Sequence, residues 1–311
     1  MKKVKLNKRD IVALFILACV VVFAFIYVLN KSIQENKFGI QMEKLFSKNE
    51  NPVFCLDKIV LYSGANAIDN SEGKTLQDLN VCQFTDMAIY IDNMVDIKAL
   101  IKESDAMNVS TVTTDDEASR KIKEHTIKEL YIDNIKINTV SNRGKRTLTY
   151  KSPQSFGKFM TANPNVDNNT EQNENQELLN IEQPERIDFE IISTNVDNER
   201  SDYTKPTFYA DCSNPITLNY MNKNIVTGYA VSTQDTQIKF DGSILQSVGV
   251  NLEDIACTVN FDIHMKNNLD QKFTCGVGID IPLKNENKSI YGGYMYGMQN
   301  ELQNRYKFFK N

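Results

Sequence analysis

The clearest pattern along the chain is a run of apolar residues near its N-terminus. Residues 11–29 are 19 consecutive apolar positions without a charge, which is long enough for a helix that crosses a bilayer. Five cations precede the run within residues 1–10, whereas only Lys31 and Lys37 follow it closely. Because the cation-rich side of a span stays in the cytoplasm, the pattern predicts a cytoplasmic basic tail and an extracytoplasmic remainder.

Two other interpretations of this segment stay open. A cleaved secretory signal has a shorter apolar core and a small-residue cleavage site, and no such site follows Leu29. Residues 16–19 resemble a loose lipoprotein signal ending at Cys19, but ten more apolar residues follow that cysteine. The length of the run favours an uncleaved signal-anchor, which places the protein at the cell membrane. All three interpretations place the C-terminal bulk outside the cytoplasm.

The apolar spacing changes after the predicted span. Four residues recur at helical spacing and predict a juxtamembrane helix over residues 30–50: Phe38, Met42, Leu45 and Phe46. Residues 51–160 contain short strand-like segments with a few helix signals, and they predict a β-rich (α+β) lobe.

Residues 161–185 interrupt the pattern of strands. The tract from Asn163 to Asn175 has almost no apolar side chain, so it predicts a polar linker or long loop. A calcium loop of the EF-hand type beginning at Asp167 is excluded, because Gln172 stands where a glycine is required and Leu178 where a glutamate is required.

Strand signals are clearest over residues 186–285. About seven short strands separated by turns predict an antiparallel β-sandwich of immunoglobulin-like size. In the hairpin of residues 255–265 and 272–282, Cys257 and Cys275 lie on apolar faces. Counting outward from a turn at 267–270 places Cys275 opposite about residue 262 and Cys257 opposite about residue 280. The two cysteines are then too far apart to form a disulfide with each other. The predicted fold class is mainly β with minor α.

The C-terminal segment, residues 286–311, is rich in tyrosine. It is interpreted either as a last strand that covers the core or as a segment that binds a partner through aromatic anchors. The second interpretation names five candidate partner contacts: Tyr291, Tyr294, Tyr296, Phe308 and Phe309.

Composition limits the ligands of the ectodomain. Beyond the first ten residues the chain carries 30 Lys and Arg against 39 Asp and Glu, which is a net charge of −9. An acidic surface repels nucleic acid and anionic head groups, so neither is a predicted partner. The 41% content of hydrophobic residues is sufficient for packed cores. The absence of Trp and the abundance of Asn and Lys favour a bacterial source with an AT-rich genome.

Cysteine and histidine offer little catalytic chemistry. The five cysteines outside the predicted span have no Cys-x-x-Cys spacing, so buried thiols are favoured over a zinc site, with one or two disulfides left open: Cys55, Cys82, Cys212, Cys257 and Cys275. His264 falls on the strand face opposite Cys257 and is predicted to face solvent, which disfavours catalysis by Cys212 and His264. His125, at the end of a charged helix, is predicted to lie on the surface.

The sequence contains no phosphate loop, nucleophile elbow or zinc-protease motif, and no cofactor or metal site is predicted. It therefore predicts a single-pass ectodomain with a non-catalytic binding or scaffold role at the cell envelope, contacting lipid through residues 11–29 and an envelope protein or glycan elsewhere.

One alternative is an extracytoplasmic hydrolase that uses a carboxylate pair or Cys212. The other is an accessory subunit of a membrane assembly that contacts partners through residues 11–48. A cleft with two carboxyls about 5–9 Å apart would favour the hydrolase, and a flat patch without converging ionisable groups would favour binding.

Overall fold

The structure is a computed structural model that describes eleven ranges or positions of the chain. These are residues 53–69, 76–97, 99–100, 117–156, 182–193, 205–232, 243–285, 288–289, 291, 293–296 and 308–310. The predicted basic tail, membrane span and juxtamembrane helix, and most of the polar segment 161–185, lie outside the described residues. Among the described helices, none has the length and apolar character needed to cross a membrane.

The described residues are mainly strands with few helices, so the prediction of a β-rich chain is confirmed. The strands are β1 (Cys55–Asp69), β2 (Leu76–Asp92), β3 (Ile127–Thr139), β4 (Lys145–Tyr150), β5 (Ile187–Ile192), β6 (Thr207–Tyr209), β7 (Ile216–Ser232), β8 (Cys257–Asn267), β9 (Lys272–Ile281), β10 (Lys284–Asn285), β11 (Lys288–Ser289), β12 (Gly293–Tyr296) and β13 (Phe309–Lys310). The helices are α1 (Glu117–Glu124) and α2 (Ser243–Ser247), with 3₁₀ turns at Pro153–Ser155 and Leu252–Ile255.

Two large sheets contain most of these strands. The first has the order β12-β1-β2-β7-β4, and the second has the order β13-β9-β8-β3-β5-β6. Strands β10 and β11 form a separate small hairpin. Pairing is antiparallel throughout the described strands except between β5 and β6, which are parallel.

The two sheets enclose one main hydrophobic core. The five-stranded sheet contributes residues such as Leu61, Met87 and Leu218, and the six-stranded sheet contributes residues such as Ile132 and Phe261. Each fully buried side chain of this size stabilises the fold by about 1.5–3 kcal/mol, because its apolar surface leaves water. Since both sheets contribute one face to a common core, the architecture is a β-sandwich.

The sandwich does not follow the predicted division into a lobe at 51–160 and a separate sandwich at 186–285. Each sheet contains strands from both ranges, because β7 pairs with β2 and β8 pairs with β3. Residues 52–311 form one compact unit. Strands from residues 51–160 hydrogen-bond to strands from residues 186–285 in both sheets, so neither range forms a complete sheet by itself. The described strands before and after residues 161–185 therefore belong to the same two sheets.

The β8–β9 hairpin confirms the predicted faces and corrects the predicted register. Cys257 lies opposite Ile281, and Cys275 lies opposite Ile263, so each partner is one residue further along than expected. The reason is the turn, which extends to Gln271 and is closed by the bond from Asn267 N to Gln271 O. The two cysteines do not approach each other, as predicted.

A second, smaller hydrophobic core lies at the other end of the five-stranded sheet. It combines Ala65, Leu79 and Ile225 with Ile244 and Leu245 of α2. Between the two cores, the inner face of this sheet carries polar side chains, which we call the polar belt: Ser63, Gln83, Thr85, Arg146, Tyr220 and Asn222. Within the belt, the hydroxyls of Ser63 and Thr85 lie 2.9 Å apart.

The free edge of β4 is covered by the end of the predicted linker. Leu148 N donates to Gln183 Oε1 at 2.8 Å, and Gln183 Nε2 donates to Leu148 O at 3.2 Å. The carboxamide thus replaces the backbone of a neighbouring strand at this position. An edge strand whose backbone groups are occupied is protected from pairing with another chain.

Candidate functional site

The described cysteines are not reactive groups. All five are buried thiols outside any disulfide between described residues: Cys55, Cys82, Cys212, Cys257 and Cys275. Burial raises the pKa of the thiols of Cys82, Cys212, Cys257 and Cys275, which keeps them in the protonated form. Since the thiolate is the nucleophile, these residues serve packing.

Cys212 is buried in the main core, whereas His264 lies on the outer face of the six-stranded sheet. Burial raises the pKa of Cys212, and the nearby carboxylates of Asp211 and Asp92 raise it further. The ring nitrogens of His264 contact other groups, namely Asp133 and Thr274. The structure therefore does not bring together the catalytic pair that the hydrolase alternative would need.

His125 is buried, and the prediction of a surface position is wrong. Its Nδ1 lies 2.9 Å from Asn93 O and 3.0 Å from Asn93 Oδ1, and Asn93 Nδ2 donates to His125 O at 2.8 Å. The chain leaves α1 at this residue and turns inward, so the ring edge packs against Phe54. Burial lowers the pKa of His125.

The outer face of the six-stranded sheet carries the most organised polar groups that face solvent. Tyr131 of β3 lies between Asp188 of β5 and His264 of β8 in the strand register. The rings of Tyr131 and His264 stack with centroids 4.7 Å apart, and the Arg186 guanidinium lies 3.6 Å above the Tyr131 ring. Cation–π and ring stacking hold the three side chains in a fixed row, in which Tyr131 stands on β3, His264 on β8 and Arg186 just before β5.

Two carboxylates adjoin this row. Asp133 lies opposite Asp262 in the register, and His264 Nε2 lies 2.8 Å from Asp133 Oδ1. Asn134 Nδ2 donates to Asp262 Oδ2 at 2.8 Å. A β-bulge between Asp133 and Lys136 interrupts the pairing, and such bulges redirect side chains. We call this group the outer-face site: Tyr131, Asp133, Arg186, Asp262 and His264.

The outer-face site has the donor types of a divalent-cation site. One ligand atom each from Asp133, Asp262 and His264 lies within 4.8 Å of the others. Imidazole and carboxylate donors suit Zn²⁺ and similar ions. Asp133 and His264 already bond to each other, and Asp262 bonds to Asn134, so the group is also complete as a hydrogen-bonded network.

The neighbouring strand β9 presents no side chain at two outward positions. Gly276 lies opposite Asp262, and Gly278 lies opposite Asn260. The side-chain oxygens of Asp262 and Asn260 occupy the space that a Cβ atom at these glycines would meet. The two glycines therefore leave room on β9 for the side chains of Asp262 and Asn260.

Sequence patterning located part of this site. The alternation of β8 predicted that His264 faces away from the core, and its side chain is 20% exposed on the outer face. The meeting of Tyr131 and Asp133 with His264 was not predicted, because it depends on pairing between strands 131 residues apart. The sequence did contain one signal for these two residues, because the alternation of β3 places Tyr131 and Asp133 on the same face of the strand.

The described part of the tyrosine-rich tail adopts the covering role. Phe308 is fully buried in the main core, and Tyr291 Oη accepts a bond from Gln83 Nε2 at 3.0 Å. Tyr294 and Tyr296 lie in β12 and Phe309 lies in β13, each at an edge of a sheet. A role of these five residues in partner contact stays a prediction.

No protein-family model, curated protein or solved structure matches this chain. The function is therefore argued from the geometry of the sandwich and its sites.

The buried position of His125 predicts a pH-dependent stability. Its folded-state pKa lies below the ordinary value of 6.5, so the unfolded chain takes up a proton below about pH 6.5 that the folded chain does not bind. We expect the free energy of unfolding to fall between about pH 7.5 and about pH 5.5, and to fall less in H125Q. Urea titrations of the full chain in detergent micelles measure both slopes, and equal slopes in the two proteins would contradict the assignment.

Proposed function

We propose that the chain is a single-pass, membrane-anchored protein of the cell envelope whose β-sandwich binds a partner without catalysing a reaction. The apolar run 11–29 and the five preceding cations support the anchor and its orientation. The observation that carries the binding role is the outer-face site, a fixed row of stacked side chains with carboxylates beside it on an accessible sheet face.

The chemistry of this face favours a glycan over a protein partner. Stable protein interfaces depend on buried aromatic or apolar anchors. Among the described residues, the large hydrophobic side chains that are well exposed are Met94 and Val140, and neither belongs to the outer-face site. The site instead offers acceptors from Asp133 and Asp262 and the remaining donors of Arg186, whose Nε and Nη2 pair with Asp188. These groups match a ligand that carries many hydroxyl groups.

The spacing of the two carboxylates supports a second candidate, a glycoside hydrolase. Oxygens of Asp133 and Asp262 approach within 4.8 Å, close to the separation of about 5 Å in retaining glycosidases. A general acid in such enzymes is kept protonated by an apolar pocket. Asp133 and Asp262 lie on an open sheet face and bond to His264 and Asn134, so we favour binding. An accessory-subunit role through residues 11–48 lies outside the described residues and stays a prediction.

The membrane topology is the first test of this proposal. In cells stripped of their wall, external protease should remove a tag placed after Asn311 while the membrane is intact. The cations before residue 11 determine this orientation. A matched variant with residues 2–9 neutralised and five lysines placed after residue 30 should protect the tag. A tag on the unmodified chain that becomes sensitive only after the membrane is permeabilised would contradict the proposed orientation.

The outer-face site is tested with polysaccharide from the cell wall of the source organism. We expect D262N to weaken binding of the full chain about tenfold or more, which corresponds to the loss of about 1.4 kcal/mol. D280N is the matched control, because Asp280 is exposed on the same face and bonds to Thr258 at the far end of the hairpin. We expect D280N to bind as the wild type does, and the polysaccharide to be recovered at its original length.

Other outcomes of this experiment would decide against the proposal. Shortening of the polysaccharide by the wild type and not by D262N would identify the hydrolase. Equal binding by the wild type, D262N and D280N would remove the outer-face site from recognition.

A further inference from the structure

The polar belt contains an arginine that has no counter-charge among the described residues. Gln83 of β2, Asn222 of β7 and Arg146 of β4 lie directly opposite one another in the strand register, on the inner face of the five-stranded sheet. They form one row across three strands, between the two hydrophobic cores. This row lies inside the sandwich and is distinct from the outer-face site.

Five polar atoms of this row are buried and have no hydrogen-bond partner. They are Gln83 Oε1, Arg146 Nε, Arg146 Nη2, Asn222 Nδ2 and Asn222 Oδ1. The side chains of Gln83 and Asn222 are 0% exposed. Buried polar groups in folded proteins are nearly always hydrogen-bonded, so this concentration of unpaired atoms in one row indicates a bound group.

Two tyrosine hydroxyls extend the same polar region. Tyr220 Oη accepts a bond from Cys257 Sγ at 3.3 Å, and Tyr291 Oη accepts one from Gln83 Nε2 at 3.0 Å. As an acceptor in these bonds each hydroxyl keeps its own proton to donate elsewhere, and the Tyr220 hydroxyl also bonds to Arg146. Burial raises the pKa of both tyrosines, which keeps those protons in place.

The surroundings of Cys257 indicate that Tyr220, Tyr291 and Arg146 lie close together. Burial raises the pKa of Cys257, and the positive charge of Arg146 acts in the opposite direction. Cys257 in turn raises the pKa of Tyr291. Cys257 belongs to the six-stranded sheet, so the region is bounded by both sheets of the sandwich.

The charge of the row specifies what it binds. Arg146 carries a positive charge, and it is unfavourable to bury part of a charged group without a partner. Arg146 forms no ion pair with a described residue, and the row adds donors from Asn222 and two tyrosines. The planar guanidinium matches the two oxygens of a carboxylate or phosphate.

We propose that the polar belt is a binding site for a small oxyanion, a carboxylate or a phosphate, with Arg146 as its counter-charge. Arg146 is partly exposed, so the anion enters past its guanidinium. Asn222 and the hydroxyls of Tyr220 and Tyr291 donate the remaining hydrogen bonds. Bound anion stabilises the fold, because it binds the native state and not the unfolded chain.

The test is calorimetric titration of the full chain in detergent micelles with sodium phosphate and, separately, with sodium acetate, in chloride buffer. We expect saturable binding of at least one salt, weakened about tenfold or more in R146M. R143Q is the matched control, because Arg143 lies three residues away, is partly exposed and faces Asp254. We expect R143Q to bind within about twofold of the wild type. Phosphate binding alone would identify a phosphate ligand, and acetate binding alone a carboxylate ligand.

A second variant decides the matter if R146M does not fold. N222D places a carboxylate directly across from Arg146, where it replaces the bound anion. We expect N222D to have a thermal midpoint at least as high as the wild type in chloride buffer, and to lose binding of both salts. Absence of saturable binding to the wild type, or unchanged binding in N222D, would overturn the proposal and leave the belt hydrated by water only.

Discussion

The pairing of β2 with β7 is the interaction on which the rest of the sandwich depends. Its register runs from Leu76 opposite Ser232 to Ile89 opposite Ile216, so it joins the two halves of the chain over most of both strands. β1 and β12 extend the sheet on one side of this pair, and β4 extends it on the other. The inner faces of the two strands supply both hydrophobic cores and the polar belt between them.

The same pairing holds the buried charges of the sheet. On the face away from the main core, Asp86 of β2 lies opposite Asn219 of β7, whose amide donates to Asp86 Oδ1 at 2.7 Å. Lys151 Nζ lies 2.7 Å from Asp86 Oδ2, and both side chains are almost fully buried. Removing one partner of a buried ion pair leaves an uncompensated charge, which costs about 3–5 kcal/mol. The pair therefore ties the end of β4 to the central strands and disfavours any shifted register of β2.

The sequence pattern predicted which face of a sheet a residue lies on far better than it predicted which strands pair with each other. The alternation along β8 and β9 correctly assigned Cys257, Phe261 and Cys275 to the core, because a period of two is a local property. Residues directly opposite each other on paired strands point to the same side of the sheet. The inward-pointing Cys275 therefore had to lie opposite another inward-pointing residue, such as Ile263. The alternation was thus a better guide to the register than counting from the turn. The division into lobes failed because a polar segment does not reveal which strands pair across it. The outer-face site and the polar belt were not predicted for the same reason, since each consists of side chains that non-local pairing brings together.

Native-state hydrogen exchange tests most directly whether the two halves form one cooperative sandwich. In the full chain in detergent micelles, the amides of central residues in β2, β3, β7 and β8 should exchange through the same global opening. The account predicts one free energy of opening for Met87 and Ile263, with the same dependence on denaturant. Two groups of amides, divided between residues before 160 and after 186 and separated by more than about 2 kcal/mol, would contradict it.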